Sequence, residues 1–210
     1  SYPNFKIKIF EELHFLKSPK SWYVLFITAI GFGGLFTWLS YITPLMTEVS
    51  NIAESNITYI MILAGGGMVI GNLIGGYLTD RIGVAKASIL LLSAMMVSLL
   101  CVFFFSGNTV TSLILTFLCG GLSMSLAAPV NIMMLKAAPK AQMMSAAFMQ
   151  AAFNIANAAG AFLGGIPITF GLSYVYPSLV GVGMTFIGLL ICITYVSKYD
   201  QTQIVTTKKL

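Results

Sequence analysis

Charge is what this sequence has least of. Only 8% of its 210 residues are Asp, Glu, Lys or Arg, while 58% are hydrophobic. Soluble domains carry about 25% charged residues, and a chain with so few cannot clothe a surface for water. The solvent it implies is lipid. Histidine occurs once, at His14, and cysteine three times, at Cys101, Cys119 and Cys192, each inside an apolar run with no CxxC spacing and no histidine neighbour. These thiols read as packed side chains, not as disulfides or metal ligands, so no metal site and no cofactor is expected. The glycine-rich stretch GGGMVIGN lacks the GxGxxG spacing and any following GK[ST], which removes a nucleotide site.

What is present is long apolar sequence. A run of about 20 such residues spans a bilayer as a helix. Six occur, over 21–46, 57–79, 87–106, 110–135, 143–168 and 176–197. Alternating strands of the barrel type are missing, and lipid tolerates no unpaired backbone, so helices are expected throughout. The predicted fold class is an all-α membrane protein with six transmembrane helices. Residues 1–20 read as a cytoplasmic linker, 21–199 as the six-span unit and 200–210 as a cytoplasmic tail. The linker mixes Phe5, Ile7, Phe10, Leu13 and Leu16 with charges, which leaves an interfacial helix as the alternative to a simple connection. Pro19 marks a break before the first span. The sequence opens on Ser1 with no signal-peptide pattern before the first apolar run, and the expectation is a chain that starts partway along a longer one.

The few charges are sorted by side. Lys6, Lys8, Lys17 and Lys20 precede the first span, Arg81 and Lys86 follow the second, Lys136 and Lys140 follow the fourth, and Lys198, Lys208 and Lys209 follow the sixth; these are all eleven basic residues. The opposite connections, around 47–56, 107–109 and 169–175, have none. The positive-inside rule then predicts that both ends are cytoplasmic. So dispersed a basic excess sets topology and does not make a nucleic-acid patch. Glu11, Glu12, Asp80 and Asp200 fall on the basic side and Glu48 and Glu54 on the other, which leaves no charge for the middle of any span. An ionisable group there costs about 2.5–3.5 kcal/mol on insertion scales and marks function by default. A proton-carrying carboxylate in the membrane, if one is used, is not among these residues.

Polar and small residues nevertheless fall into stripes. Gly67, Gly71 and Gly75 recur every fourth residue of the second span, a flat strip for close helix packing. Gln150, Asn154 and Asn157 share one face of the fifth, among alanines, and read either as interhelical hydrogen-bonding groups or as the lining of a central cavity. The fourth span places Ser123 and Asn131 on one face with Pro129, a bend site, between them. The first carries Gly34, Thr37, Trp38 and Tyr41 along one side. Spans three and six are almost wholly aliphatic and aromatic and read as lipid-facing. The pattern is two triplets, each with two inner helices and one outer, as in secondary transporters. Gly121-Leu122-Ser123-Met124 has the GxSx form of the rhomboid proteases, but a serine needs a base, and the lone histidine precedes the first span. HExxH is absent too.

One stretch does carry charge, GGYLTDRIGVAK over 75–86. Gly76, Leu78, Asp80, Arg81, Gly83 and Lys86 give G-x-L-x-D-R-x-G-x-x-K in a short connection between spans two and three. Glycine permits close packing at Gly76 and a tight turn at Gly83. Arg81 and Lys86 hold the connection on the cytoplasmic side, and Asp80 can accept charge-assisted hydrogen bonds or face a helix N-terminus. The motif resembles the signature loop of the major facilitator superfamily. NIANAAGAFLGG and APVNIMMLKAAPKAQMMSAAFMQAAF resemble spans eleven and ten to eleven of its drug–proton antiporter group, arabinose-efflux-type and purine-efflux-type members, and FLKSPKSW resembles the end of the central linker. The span-four arginine and span-five Gly-Pro of the N-terminal halves of drug exporters are missing.

The resemblance implies the C-terminal six-span half of a twelve-span transporter in a bacterial inner membrane. It implies a conformational gate at Gly76, Asp80, Arg81, Gly83 and Lys86, with a partner for Asp80 in the other half. It also implies a cavity lined by Trp38, Asn131, Gln150, Asn154 and Asn157, and proton-coupled efflux of a sugar, nucleoside or drug. The implied partners are membrane lipid, an N-terminal six-span half in the same longer chain or in another copy, a small-molecule substrate and protons. A complete half-size transporter that pairs with itself and a non-transporting scaffold subunit are the alternatives.

Overall fold

The computed structural model describes residues 12–199, all six spans among them; the expectations for 1–11 and 200–210 lie outside the described residues. The spans are α1 (Pro19–Ser40), α2 (Ile57–Ile82), α3 (Val84–Phe105), α4 (Thr109–Ala137), α5 (Gln142–Thr169) and α6 (Tyr176–Tyr199). Each is long and apolar enough to cross a bilayer. Pro19 opens α1 as a first-turn residue, where its missing N–H costs nothing. The segment before it makes a short 3₁₀ turn, Leu13–Lys17, and buries Phe15 edge-on against Phe148 of α5, ring centroids 5.5 Å apart.

The two triplets are visible in the packing. α2 lies on α4 as α5 lies on α1; α3 meets α4 as α6 meets α1; and α3 packs on α6. Each of these relations maps onto its partner when the first three helices exchange with the last three. Small residues make the approach possible. A Cβ at Gly67, Gly71 or Gly75 would fall on the carbonyl oxygen of Phe117, Gly121 or Ser125, respectively, one helix turn at a time. The Ser125 carbonyl is the one that Pro129 leaves without its helical donor, and it lies against Gly75. The mirrored contact sets Gly160 on the Gly33 carbonyl and Gly164 beside Thr37, and Tyr41 Oη donates to the Ala161 carbonyl at 2.9 Å.

The first span departs from a straight helix. It widens to a π-helical turn at Ile27–Gly31 and again at Leu45–Val49, past a short helical piece, Ile42–Pro44. At the end remote from the basic residues, Ser50 ties two connections together. Its Oγ donates to the Ser106 carbonyl and lies beside Ser112 Oγ, both at 2.8 Å, while Thr109 Oγ1 donates to the Ser50 carbonyl at 2.8 Å.

Span six is not the plain lipid-facing helix its composition suggests. Ser178, Gly181, Thr185 and Gly188 are buried along one stripe, and a Cβ at Gly181 or Gly188 would meet Gly34 or Gly31 of α1. Only its other side, with Phe186, Ile187, Leu190 and Ile193, is exposed.

Candidate functional site: the amide face of α5 and the joint between α2 and α3

α2 and α5 are the least buried spans, each with 22% of its central window covered, against 61% for α1. A helix so uncovered in a lipid-solvated bundle should present large apolar side chains. α3 does so with Leu90, Val97, Phe104 and Phe105. α5 is divided: Met143, Ile155, Phe162 and Ile166 are exposed, but the rest of its exposed side runs through Ala146, Ala147, Gln150, Ala151, Asn154, Asn157 and Ala158. Among the described residues, Gln150, Asn154 and Asn157 have no hydrogen-bond partner. Three bare amides facing hydrocarbon would be costly. This face is suited to water, a polar solute or another protein surface.

The structure sorts the other expected lining residues. Asn131 of α4 is exposed and donates from Nδ2 to the Ala127 carbonyl of its own helix at 2.8 Å. Ser123 does not share its face: eight residues rotate a helix by about 80° from eclipse, and Ser123 is buried with its Oγ bonded back to the Gly120 carbonyl. Trp38 is only 2% exposed and belongs to the buried core of this unit. Asn72, not singled out in the sequence, is exposed on α2 between Gly71 and Leu73. A single amide in an otherwise apolar run was the available signal.

The charged motif takes a tighter form than the expected loop. α2 ends at Ile82, α3 starts at Val84, and Gly83 alone joins them, at φ 85° and ψ 157°. Asp80 and Arg81 therefore lie in the last turn of α2 and Lys86 in the first turn of α3. Arg81 lies over the Tyr77 ring, its guanidinium carbon 5.4 Å from the centroid. Asp80 and Lys86 are exposed, and Asp80 has no ion pair among the described residues. A Cβ at Gly76 would meet no atom within 4 Å, so close packing within this chain is made by Gly75, one residue earlier. Gly83 has a direct test. Its backbone lies in a region essentially closed to other residues, and Gly83→Ala is expected to cost about 1–3 kcal/mol, read as a lowered unfolding midpoint in detergent.

Sequence comparison decides the family. Residues 21–209 match the family model of the Major Facilitator Superfamily. The chain belongs to that superfamily. AraJ of Escherichia coli (strain K12) is 35% identical over 200 residues, covering 95% of this chain and 50% of AraJ. The inner membrane transport protein YdhP of the same strain is 30% identical over 194 residues, 91% of this chain and 49% of YdhP. A Haemophilus influenzae (strain PittGG) protein named "Probable sugar efflux transporter" is 28% identical over 194 residues, 91% of this chain and 48% of that protein. The chain thus spans about half the length of these relatives. Its six spans form one facilitator half, an integral membrane unit.

Proposed function

We propose that this chain is the C-terminal half of an alternating-access transporter that exports a small organic solute in exchange for protons. The observation that carries the reading is the exposed amide and alanine face of α5, which is unsuited to lipid. A second six-span half meets that side of the unit and leaves a polar cavity where Gln150, Asn154, Asn157 and Asn131 hydrogen-bond the solute. The relatives' double length supports such a partner. Export rests on the sugar efflux name of one relative. With no acidic or basic side chain in the middle of any span, this half leaves the proton carrier to the other. The basic residues among those described gather at one end, which orients that end to the cytoplasm.

The test is Asn154→Ala with Asn157→Ala in the full-length transporter. Two neutral hydrogen bonds at about 0.5–1.5 kcal/mol each predict roughly a ten-fold loss in flux or apparent affinity. The amount inserted in the membrane is expected to stay the same. Unchanged flux and unchanged substrate preference would remove the cavity and leave the amides as contacts between halves.

A further inference from the structure

The basic end of α1 and α6 holds a feature that transport does not use. Trp22 Nε1 donates to the Leu16 carbonyl at 2.7 Å and so fixes the indole over the turn that precedes α1. Beside it runs an open groove of about 430 Å³ whose walls include Leu16, Trp22, Phe26 and Ile191. It opens outward, since Trp22 is 44% and Phe26 47% exposed. Lys17 also lines it.

Tyr23, a further wall residue, leads from the groove to a cluster of cations. Its ring lies 5.8 Å from that of Tyr199. Over Tyr199 sit two ammonium groups, Lys20 Nζ at 5.2 Å and Lys198 Nζ at 5.6 Å from the centroid. Lys17 Nζ has only the His14 ring, at 3.3 Å. Among the described residues no carboxylate pairs with any of the three lysines. Lys20 and Lys198 thus share one ring with no described counter-ion, and an aromatic ring offsets little of a cation's demand for an anion.

We propose that the groove binds one anionic phospholipid, its phosphate held by Lys17, Lys20 and Lys198 and an acyl chain laid along Trp22, Phe26 and Ile191. The pairing of charge with an apolar trough selects this occupant. A free phosphate leaves the trough empty, and a zwitterionic lipid brings its own ammonium to a site already rich in them. The site shares no residue with the amide face, so it stands whether or not the solute-binding reading does.

Trp22 is the built-in reporter. The full-length protein is placed in phosphatidylcholine vesicles containing a minor fraction of either brominated phosphatidylglycerol or brominated phosphatidylcholine. The Trp22 signal is the fluorescence lost in Trp22→Phe. Phosphatidylglycerol should be enriched at Trp22 at least about five-fold, the effect of one well-placed lysine at a membrane surface. The triple variant Lys17→Gln, Lys20→Gln, Lys198→Gln should quench equally with both lipids, while Lys198→Arg keeps the preference. Equal quenching in the unaltered protein would overturn the proposal, as would a preference that survives in the triple variant. Loss of the preference on adding millimolar inorganic phosphate at constant ionic strength would overturn it too, because it would mark a site for the free anion.

Discussion

Gly71→Leu is expected to abolish the folded form of this six-helix unit, while Gly66→Leu, five residues earlier, leaves it intact. Both positions lie in the middle of α2, with similar sequence around them. Their surroundings differ completely. A Cβ at Gly66 meets nothing within 4 Å, whereas one at Gly71 falls on the backbone of Gly121. Backbone cannot rotate out of the way as a flexible side chain can, so α2 and α4 must separate. The contact is continuous from Gly67 to Gly75, and separation at its centre loosens every turn. Association inside a membrane lacks a hydrophobic drive and depends on such packing. Gly71→Ala alone is expected to cost about 1–3 kcal/mol, the usual penalty of overpacking. Leucine adds three further carbons at the same place. Thermal unfolding in detergent reads the difference, with Gly66→Leu as the control for hydrophobicity and helix propensity. Equal midpoints for the two leucine variants would refute close packing of α2 on α4.

Asp80→Asn should leave folding untouched and lower flux by about ten-fold or more. Asp80 sits in the last turn of α2, the end where the helix dipole disfavours an anion. It is exposed and unpaired among the described residues, so none of them gains from its charge. We propose that its value lies in a contact with a helix terminus of a partner half in one of the two transport states. A hydrogen bond to a charged group contributes about 1.5–3 kcal/mol. Lost from one state only, that amount shifts the balance between the two states by at least ten-fold. Flux in proteoliposomes, normalised to inserted protein, reads the change, and thermal stability serves as the control. Wild-type flux would remove Asp80 from the gate. A matching fall in stability would make it a structural residue instead.

Much of this is legible in the sequence. Apolar length placed all six spans, because a bilayer sets a minimum that little else in the chain satisfies. The periodicity of Gly67, Gly71 and Gly75 marked one close contact, and its counterpart through Gly33 and Gly160 was harder to see for want of an unbroken four-residue spacing. Span six reads as lipid-facing because Gly181, Thr185 and Gly188 are small, and their stripe disappears beneath the bulk of the phenylalanines and leucines around it. Trp38 stands out as an aromatic, but identity does not say whether a residue lines a cavity or is buried in the bundle. A tight turn at Gly83 is legible, but that it makes the entire joint is not. Charged residues suggest a loop, yet Asp80, Arg81 and Lys86 are compatible with helix ends, and only the backbone angle at Gly83 reveals how little loop is needed.

The contact between α2 and α4 repeats at every turn: Gly67 with Phe117, Gly71 with Gly121, Gly75 with Ser125. A repeating seam cannot encode its own alignment. Sliding one helix along the other by a single turn, about 5.4 Å, would set glycine against the same kind of backbone again. Shape therefore brings the helices together without telling them where to stop. That information comes from hydroxyls. Ser125 Oγ donates to the Gly71 carbonyl at 2.7 Å, which distinguishes one alignment from the next. At the far end of α4, Ser50 and Thr109 fasten its first turn to the chain leaving α1. In a bundle almost devoid of charge, a handful of serines and threonines serve as the index marks on an otherwise featureless scale.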